Sequence, residues 1–136
     1  MDDSQLFQWL EAQLQLNNII ILPECKAEIR SLVLCKGFEN EFFKCFIKCT
    51  KQLSKLGLEA INLRAFEKLQ GAPNLFSMRL IGKQFNIRIL FSYEPNVNVF
   101  TLAFFEKEGK RTTNYTKMIP LALSRLEQYR KLGGRL

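Results

Sequence analysis

The hydrophobic period of this chain changes at Gly71-Ala72-Pro73-Asn74, and that change limits the folds open to it. Upstream, apolar residues recur mostly at helical spacing; from there to Phe105 they follow a period of two. Asp2 to Leu16 reads as an amphipathic helix with Leu6, Trp9, Leu10 and Leu14 on its apolar face, ended by Asn17-Asn18. Ile19-Ile20-Ile21-Leu22 reads as a short β-branched strand stopped by Pro23. Glu24 to Leu34 and Glu39 to Leu56 read as two more helices, and the short link Lys36-Gly37-Phe38 predicts that they form an antiparallel hairpin. Ile29, Leu32 and Val33 face inward on the first; Phe42, Phe43, Phe46, Ile47, Thr50 and Leu53 do so on the second, which Gly57 stops. Leu58 to Asn74 reads as a connector holding a short helix at Leu63 to Leu69.

Beyond the break, Leu75 to Ile81 and Gln84 to Tyr93 flank Gly82-Lys83 as the strands of a tight hairpin. Val97 to Phe105 is a third strand, apolar enough to be central, and a helix from about Thr116 carries Ile119, Leu123, Leu126 and Tyr129 on one face. The expected fold is α+β: a small, mostly antiparallel sheet packed on an N-terminal helical hairpin, with a C-terminal helix and an additional N-terminal helix over residues 1–17. No repeat, low-complexity tract or Pro/Gly linker divides the 136 residues, so a single domain over 1–136 is expected.

Composition then removes much chemistry. The chain contains no His, which excludes Ser-His-Asp and Cys-His nucleophiles, His-ligated metals and a histidine general base. Its four cysteines, Cys25, Cys35, Cys45 and Cys49, include no CxxC pair. A four-thiolate metal site or a redox pair at Cys45 and Cys49 is one reading. Small buried apolar residues in a reducing compartment is the ordinary one, because zinc ligands come in tight pairs. No metal and no cofactor are expected. The start is acidic and polar and the apolar runs are short, which predicts a soluble, cytoplasmic protein without a signal or membrane span.

The net charge of +7 is segregated. Residues 1–70 hold nine Lys/Arg and nine Asp/Glu; residues 71–136 hold eleven and four. A cationic excess confined to the strands, the loop after them and the last helix points to a face for a polyanion. With Gly82-Lys83 as the two turn residues, Ile81 pairs with Gln84, Arg79 with Asn86 and Ser77 with Arg88. Alternation then puts Ser77, Arg79, Asn86 and Arg88 on one face and Phe76, Met78, Leu80, Phe85, Ile87, Ile89 and Phe91 on the other. Arg88, between Ile87 and Ile89, needs a partner or water. It is a functional cation, an exposed strand residue, or one paired with Glu106 or Glu94. Residues 106–117 hold Lys107, Lys110, Arg111 and Lys117 with several hydroxyls and Tyr115. Cations and hydroxyls suit phosphate oxygens, and an aromatic ring suits stacking on a base, although a solvated polar turn has the same composition.

Three stretches resemble one family. Leu69-Gln70-Gly71-Ala72-Pro73-Asn74-Leu75-Phe76-Ser77-Met78-Arg79 resembles the "L-x-G-x-x-x-L-(Y/F)-x-x-(R/K)" stretch of RelE/ParE-superfamily toxins of bacterial type II toxin–antitoxin systems, nearest the HigB-like, phage-associated branch. Phe85-Asn86-Ile87-Arg88-Ile89-Leu90-Phe91 resembles their "Y-R-(I/L)-(V/L)-(Y/F)" strand. Leu102 to Thr112 resembles their "L-x-x-F-x-K-K-x-x-K-T" segment. The resemblance covers about residues 18–132 and implies a RelE-like core. It also implies a metal-free, ribosome-dependent mRNA endoribonuclease that inhibits translation, in which the ribose 2′-hydroxyl attacks the adjacent phosphate. Carried over, Arg79, Arg88, Lys107 and Tyr115 are catalytic; the polar sheet face and the basic loop add Ser77, Asn86, Lys110, Arg111 and Lys117 as RNA contacts. The implied partners are a cognate antitoxin, mRNA and the ribosome, with no membrane and no metal. Ser77 stands where some members have Lys, and Glu108 replaces the second Lys of the K-K pair. Two other readings fit the same pattern: a non-catalytic ParE-like toxin acting on a protein such as gyrase, and an RNA-binding module of a mobile element.

Overall fold

The structure, a computed structural model, describes residues 3–94, 96–106 and 115–133. It is α+β. In chain order the elements are α1 (Asp3–Leu16), β1 (Ile19–Ile21), α2 (Pro23–Val33), α3 (Glu39–Leu56), a 3-10 turn (Gly57–Asn62), β2 (Phe66–Lys68), β3 (Leu75–Ile81), β4 (Asn86–Glu94), β5 (Val97–Phe105) and α4 (Met118–Lys131). The strands form one sheet in the order β1-β5-β4-β3-β2, with β1 parallel to β5 and every other pair antiparallel.

Local chemistry accounts for most of the boundaries. Pro23 ends β1 because it has no N–H for the ladder, and the same lack suits it to the first turn of α2. The Glu39 carboxylate accepts the backbone N–H groups of Lys36 and Gly37, both at 2.7 Å, and these bonds hold its pKa below the ordinary value. Gly57 closes α3 at φ +58°, a conformation that a Cβ would strain.

One face of the sheet packs on α1, α2 and α3. Phe42, Phe46, Phe91 and Phe100 lie fully buried there with Met78, Leu80, Ile87 and Ile89. The helix at the N-terminus joins this core through Phe7, Leu10 and Leu14, whereas Trp9 is 41% exposed. Its buried stripe is therefore rotated from the expected Leu6–Trp9–Leu10–Leu14 set. Phe7 takes the inner position, edge-on to Phe43 at 5.6 Å and beneath the Arg30 guanidinium at 5.2 Å.

The opposite face carries a smaller cluster of Leu69, Ala72, Leu75, Leu90, Leu102 and Ala122, with Phe104, Tyr115, Met118 and Ile119 packed against it. α4 gives Ala122 to this cluster and Leu126 and Tyr129 to the main core, so it wraps the edge of β5 where the short β1 ends. Side chains take the place of the missing strand. Glu28 accepts the Ala103 N–H at 3.1 Å, and Arg125 donates to the Thr101 carbonyl at 2.9 Å while forking onto both Glu28 oxygens at 2.8 and 3.1 Å.

Two further expectations need correction. Residues 63–69 hold no helix; Phe66–Lys68 is a fifth strand paired with β3. The β3–β4 register is Ile81↔Asn86, Arg79↔Arg88 and Ser77↔Leu90, two residues from the tight-turn pairing. The turn is longer because Phe85 leaves the ladder to pack on Phe38 and Phe42, and the Gly82 N–H closes onto the Phe85 carbonyl at 2.9 Å.

Candidate functional site

An even slip of register keeps every side chain on its face. Ser77, Arg79 and Arg88 therefore still share the face away from the helical core, and the slip brings the two arginines directly opposite each other. Beside them on β2, Glu67 pairs with Ser77, and on β5 Phe104 pairs with Arg88. The strip is not an open polar surface. Ser77 is fully buried, Arg88 is 8% exposed and Arg79 is half-buried.

Arg88 is the centre of the site. Neither its Nε nor its Nη1 has a hydrogen-bond partner among the described residues, and the Nε of Arg79 and Oδ1 of Asn86 are likewise buried without one. Burial pushes the Arg88 pKa down, Arg79 pushes in the same direction, and Tyr115, Glu67 and Glu106 oppose them. Of the partners weighed for Arg88 from sequence, Glu94 is engaged elsewhere: it accepts Arg130 Nη2 at 2.6 Å and the Ser92 hydroxyl at 2.9 Å. Glu106 is buried close enough to act on Arg88 electrostatically, and its N–H donates to the Asn86 carbonyl at 2.8 Å. Arg79 donates through Nη2 to the Arg64 carbonyl, which turns its side chain toward the edge of the sheet.

Tyr115 joins this group from the start of the last helical segment. Its ring lies edge-on to Phe104 at 6.1 Å, and its hydroxyl donates to the Glu67 carboxylate and is hydrogen-bonded to the Ser77 hydroxyl at 3.0 Å. The result is a phenol held against a carboxylate, next to two adjacent guanidiniums with unsatisfied donors. Guanidinium forks match phosphate geometry, and a phenol–carboxylate pair can pass a proton. Among the described residues, no group of three or more Cys, Asp or Glu side chains is placed to hold a metal ion.

The structure thus gathers Ser77, Arg79, Arg88 and Tyr115, with Asn86 one pair further along the strands. Lys117 is exposed just before α4. Lys107, Lys110 and Arg111 lie outside the described residues. The residue that sequence reasoning missed is Glu67. The only local signal was the alternation Phe66 inward, Glu67 to the other face, too short to outweigh a connector reading. No described helix is long and apolar enough to cross a membrane. Comparison with protein-family models and with curated proteins finds no match for this chain.

Proposed function

We propose that this protein is a toxin of the RelE/ParE superfamily, of HigB-like type, that acts in the cytoplasm as a ribosome-dependent mRNA endoribonuclease. One observation carries the reading: buried Arg88 and half-buried Arg79 stand directly cross-strand, and three of their buried nitrogens have no hydrogen-bond partner among the described residues. Two like charges placed together with unsatisfied donors favour an anion between them, and a backbone phosphate supplies matching oxygens.

In the proposed reaction the ribose 2′-oxygen attacks the adjacent phosphorus and the bond from phosphorus to the 5′-oxygen breaks, leaving a 2′,3′-cyclic phosphate. The 2′-hydroxyl proton passes to Tyr115, whose own proton passes to Glu67; the 5′-oxygen takes a proton from water. Arg79 and Arg88 hold the charge that grows on the phosphorane, an effect worth about 10²–10³ in rate per donor in comparable sites. Lys107, Lys110, Arg111 and Lys117 complete the RNA contact, and a cognate antitoxin, most simply an acidic one, covers the same face.

Brief induction in a bacterial host tests this. Growth and amino-acid incorporation should stop, co-expression of a cognate antitoxin should restore them, and Arg88→Ala at equal soluble level should not arrest growth. Full toxicity of Arg88→Ala combined with Tyr115→Phe would remove the site assignment. Arrest of replication with translation intact would instead favour a ParE-like protein target.

A further inference from the structure

On the other side of Arg79 lies a cavity of about 400 Å³, large enough for a small-molecule ligand. It forms where β2 stops short of the end of β3. Its walls include Cys45, Lys48 and Cys49 of α3, Arg64 ahead of β2, and Arg79 of β3. Among the described residues no Asp or Glu lines it, and its charged groups are cations. Glu41, one helical turn before Cys45, is the carboxylate that acts on that thiol from outside the lining.

Cys45 and Cys49 sit one turn apart on the same helix face. Both line the cavity, together with Ile81 at the end of β3. Cys49, donating, holds the Cys45 pKa down to about 7 against the penalty of burial, with help from the Ile81 N–H and Lys48, while Cys49 itself is pushed up. The pair cannot close on itself within the helix. Side chains one turn apart have Cβ atoms about 5–6 Å apart, whereas a disulfide holds them about 3.5–4.5 Å apart. An oxidising partner for Cys45 must come from outside.

We propose that Cys45 is a thiol–disulfide exchange site for an anionic low-molecular-mass disulfide, which the cations of this cavity draw in. The Cys45 thiolate attacks one sulfur of R–S–S–R. A Cys45–S–S–R bond forms, the original S–S bond breaks, and R–S⁻ leaves with the electron pair, so the protein thiol is oxidised and half of the reagent is reduced. Cys49 keeps its proton. Because helix geometry keeps Cys49 from displacing the adduct, the mixed disulfide persists until an external thiol removes it. An anionic adduct also competes with phosphate for Arg79; that consequence rests on the proposed function, but the thiol chemistry does not.

The test uses the full chain and two reagents, dianionic 5,5′-dithiobis(2-nitrobenzoate) and neutral 2-hydroxyethyl disulfide, read by intact mass and peptide mapping. Cys35 is the exposed competitor. The expected result has the first adduct on Cys45. The ratio of anionic to neutral rates at Cys45 should also fall about threefold or more in Lys48→Gln/Arg64→Gln, as two screened charges at this range imply. Both substituted side chains are exposed, so the fold is kept. A first adduct on Cys35, or a smaller change in the ratio, overturns the proposal, and the wild-type mapping stands without any variant.

Discussion

Replacing Arg88 with Met should make the protein more stable and sharply reduce the proposed RNA cleavage. In the folded chain Arg88 is 8% exposed and two of its nitrogens, Nε and Nη1, lack partners among the described residues. Each buried donor left unsatisfied costs about 1–3 kcal/mol. The Arg79 charge directly across the ladder adds to the penalty, and the attraction of Glu67, Glu106 and Tyr115 offsets part of it. Exchanging buried ionic groups for apolar residues of similar volume stabilises some proteins by about 1–4 kcal/mol when a whole ion pair or triad is replaced. With the lost attraction subtracted, a net gain of about 1–2 kcal/mol is expected, equivalent to a rise in Tm of roughly 3–10 °C for a chain of this size. Calorimetry at low salt measures it directly. Cleavage by the same variant should fall about 10²–10³-fold. A Tm lowered by a few degrees would refute the reasoning, because it would mean that the fold, not an anion, satisfies Arg88.

Other outcomes follow from neighbouring groups. Tyr115→Phe keeps the ring on Phe104 and removes the hydroxyl from Glu67 and Ser77, so cleavage should drop at least about tenfold with Tm little changed; unaltered cleavage would take Tyr115 out of proton transfer. Glu28→Ala strips Arg125 and the Ala103 N–H of their acceptor and should cost about 2–4 kcal/mol in urea denaturation. The double variant with Arg125→Met should lose less than the sum of the singles, and strict additivity would show that the pair is not coupled. Gly82→Ala would bring a Cβ to 2.4 Å from the Phe85 ring and should cost about 1–3 kcal/mol, whereas Ala at exposed Lys83 should be neutral; equal midpoints for the two would contradict the packing account.

The parts of the fold readable from sequence are those with long, regular periods. The α3 stripe Phe42, Phe43, Phe46, Thr50 and Leu53 lies inside as its spacing requires, and β5 sits inside the sheet as its apolar run implies. Misread features were short or set by tertiary packing. The three residues of β2 are too few for a period to show, and they make a strand only because β3 offers an open edge. The hairpin register followed Phe85 into the core and not the Gly82-Lys83 turn signal. On α1, Phe7 outcompeted Trp9 for the inner position by packing on Phe43. At the site, alternation was enough to put Arg79 and Arg88 on one face, because a slip of two residues preserves parity. Their burial was not legible, since it depends on Tyr115, Phe104 and Glu67 arriving from three other places in the chain.

The most direct test of phosphate chemistry at Arg79 and Arg88 is the sequencing of RNA ends from cells sampled minutes after induction. New 3′ ends carrying 2′,3′-cyclic phosphate, phased with codons on translated messages, should appear with the wild-type chain and vanish with Arg88→Ala. Cells that stop growing with no such ends would contradict the claim that this site cuts mRNA.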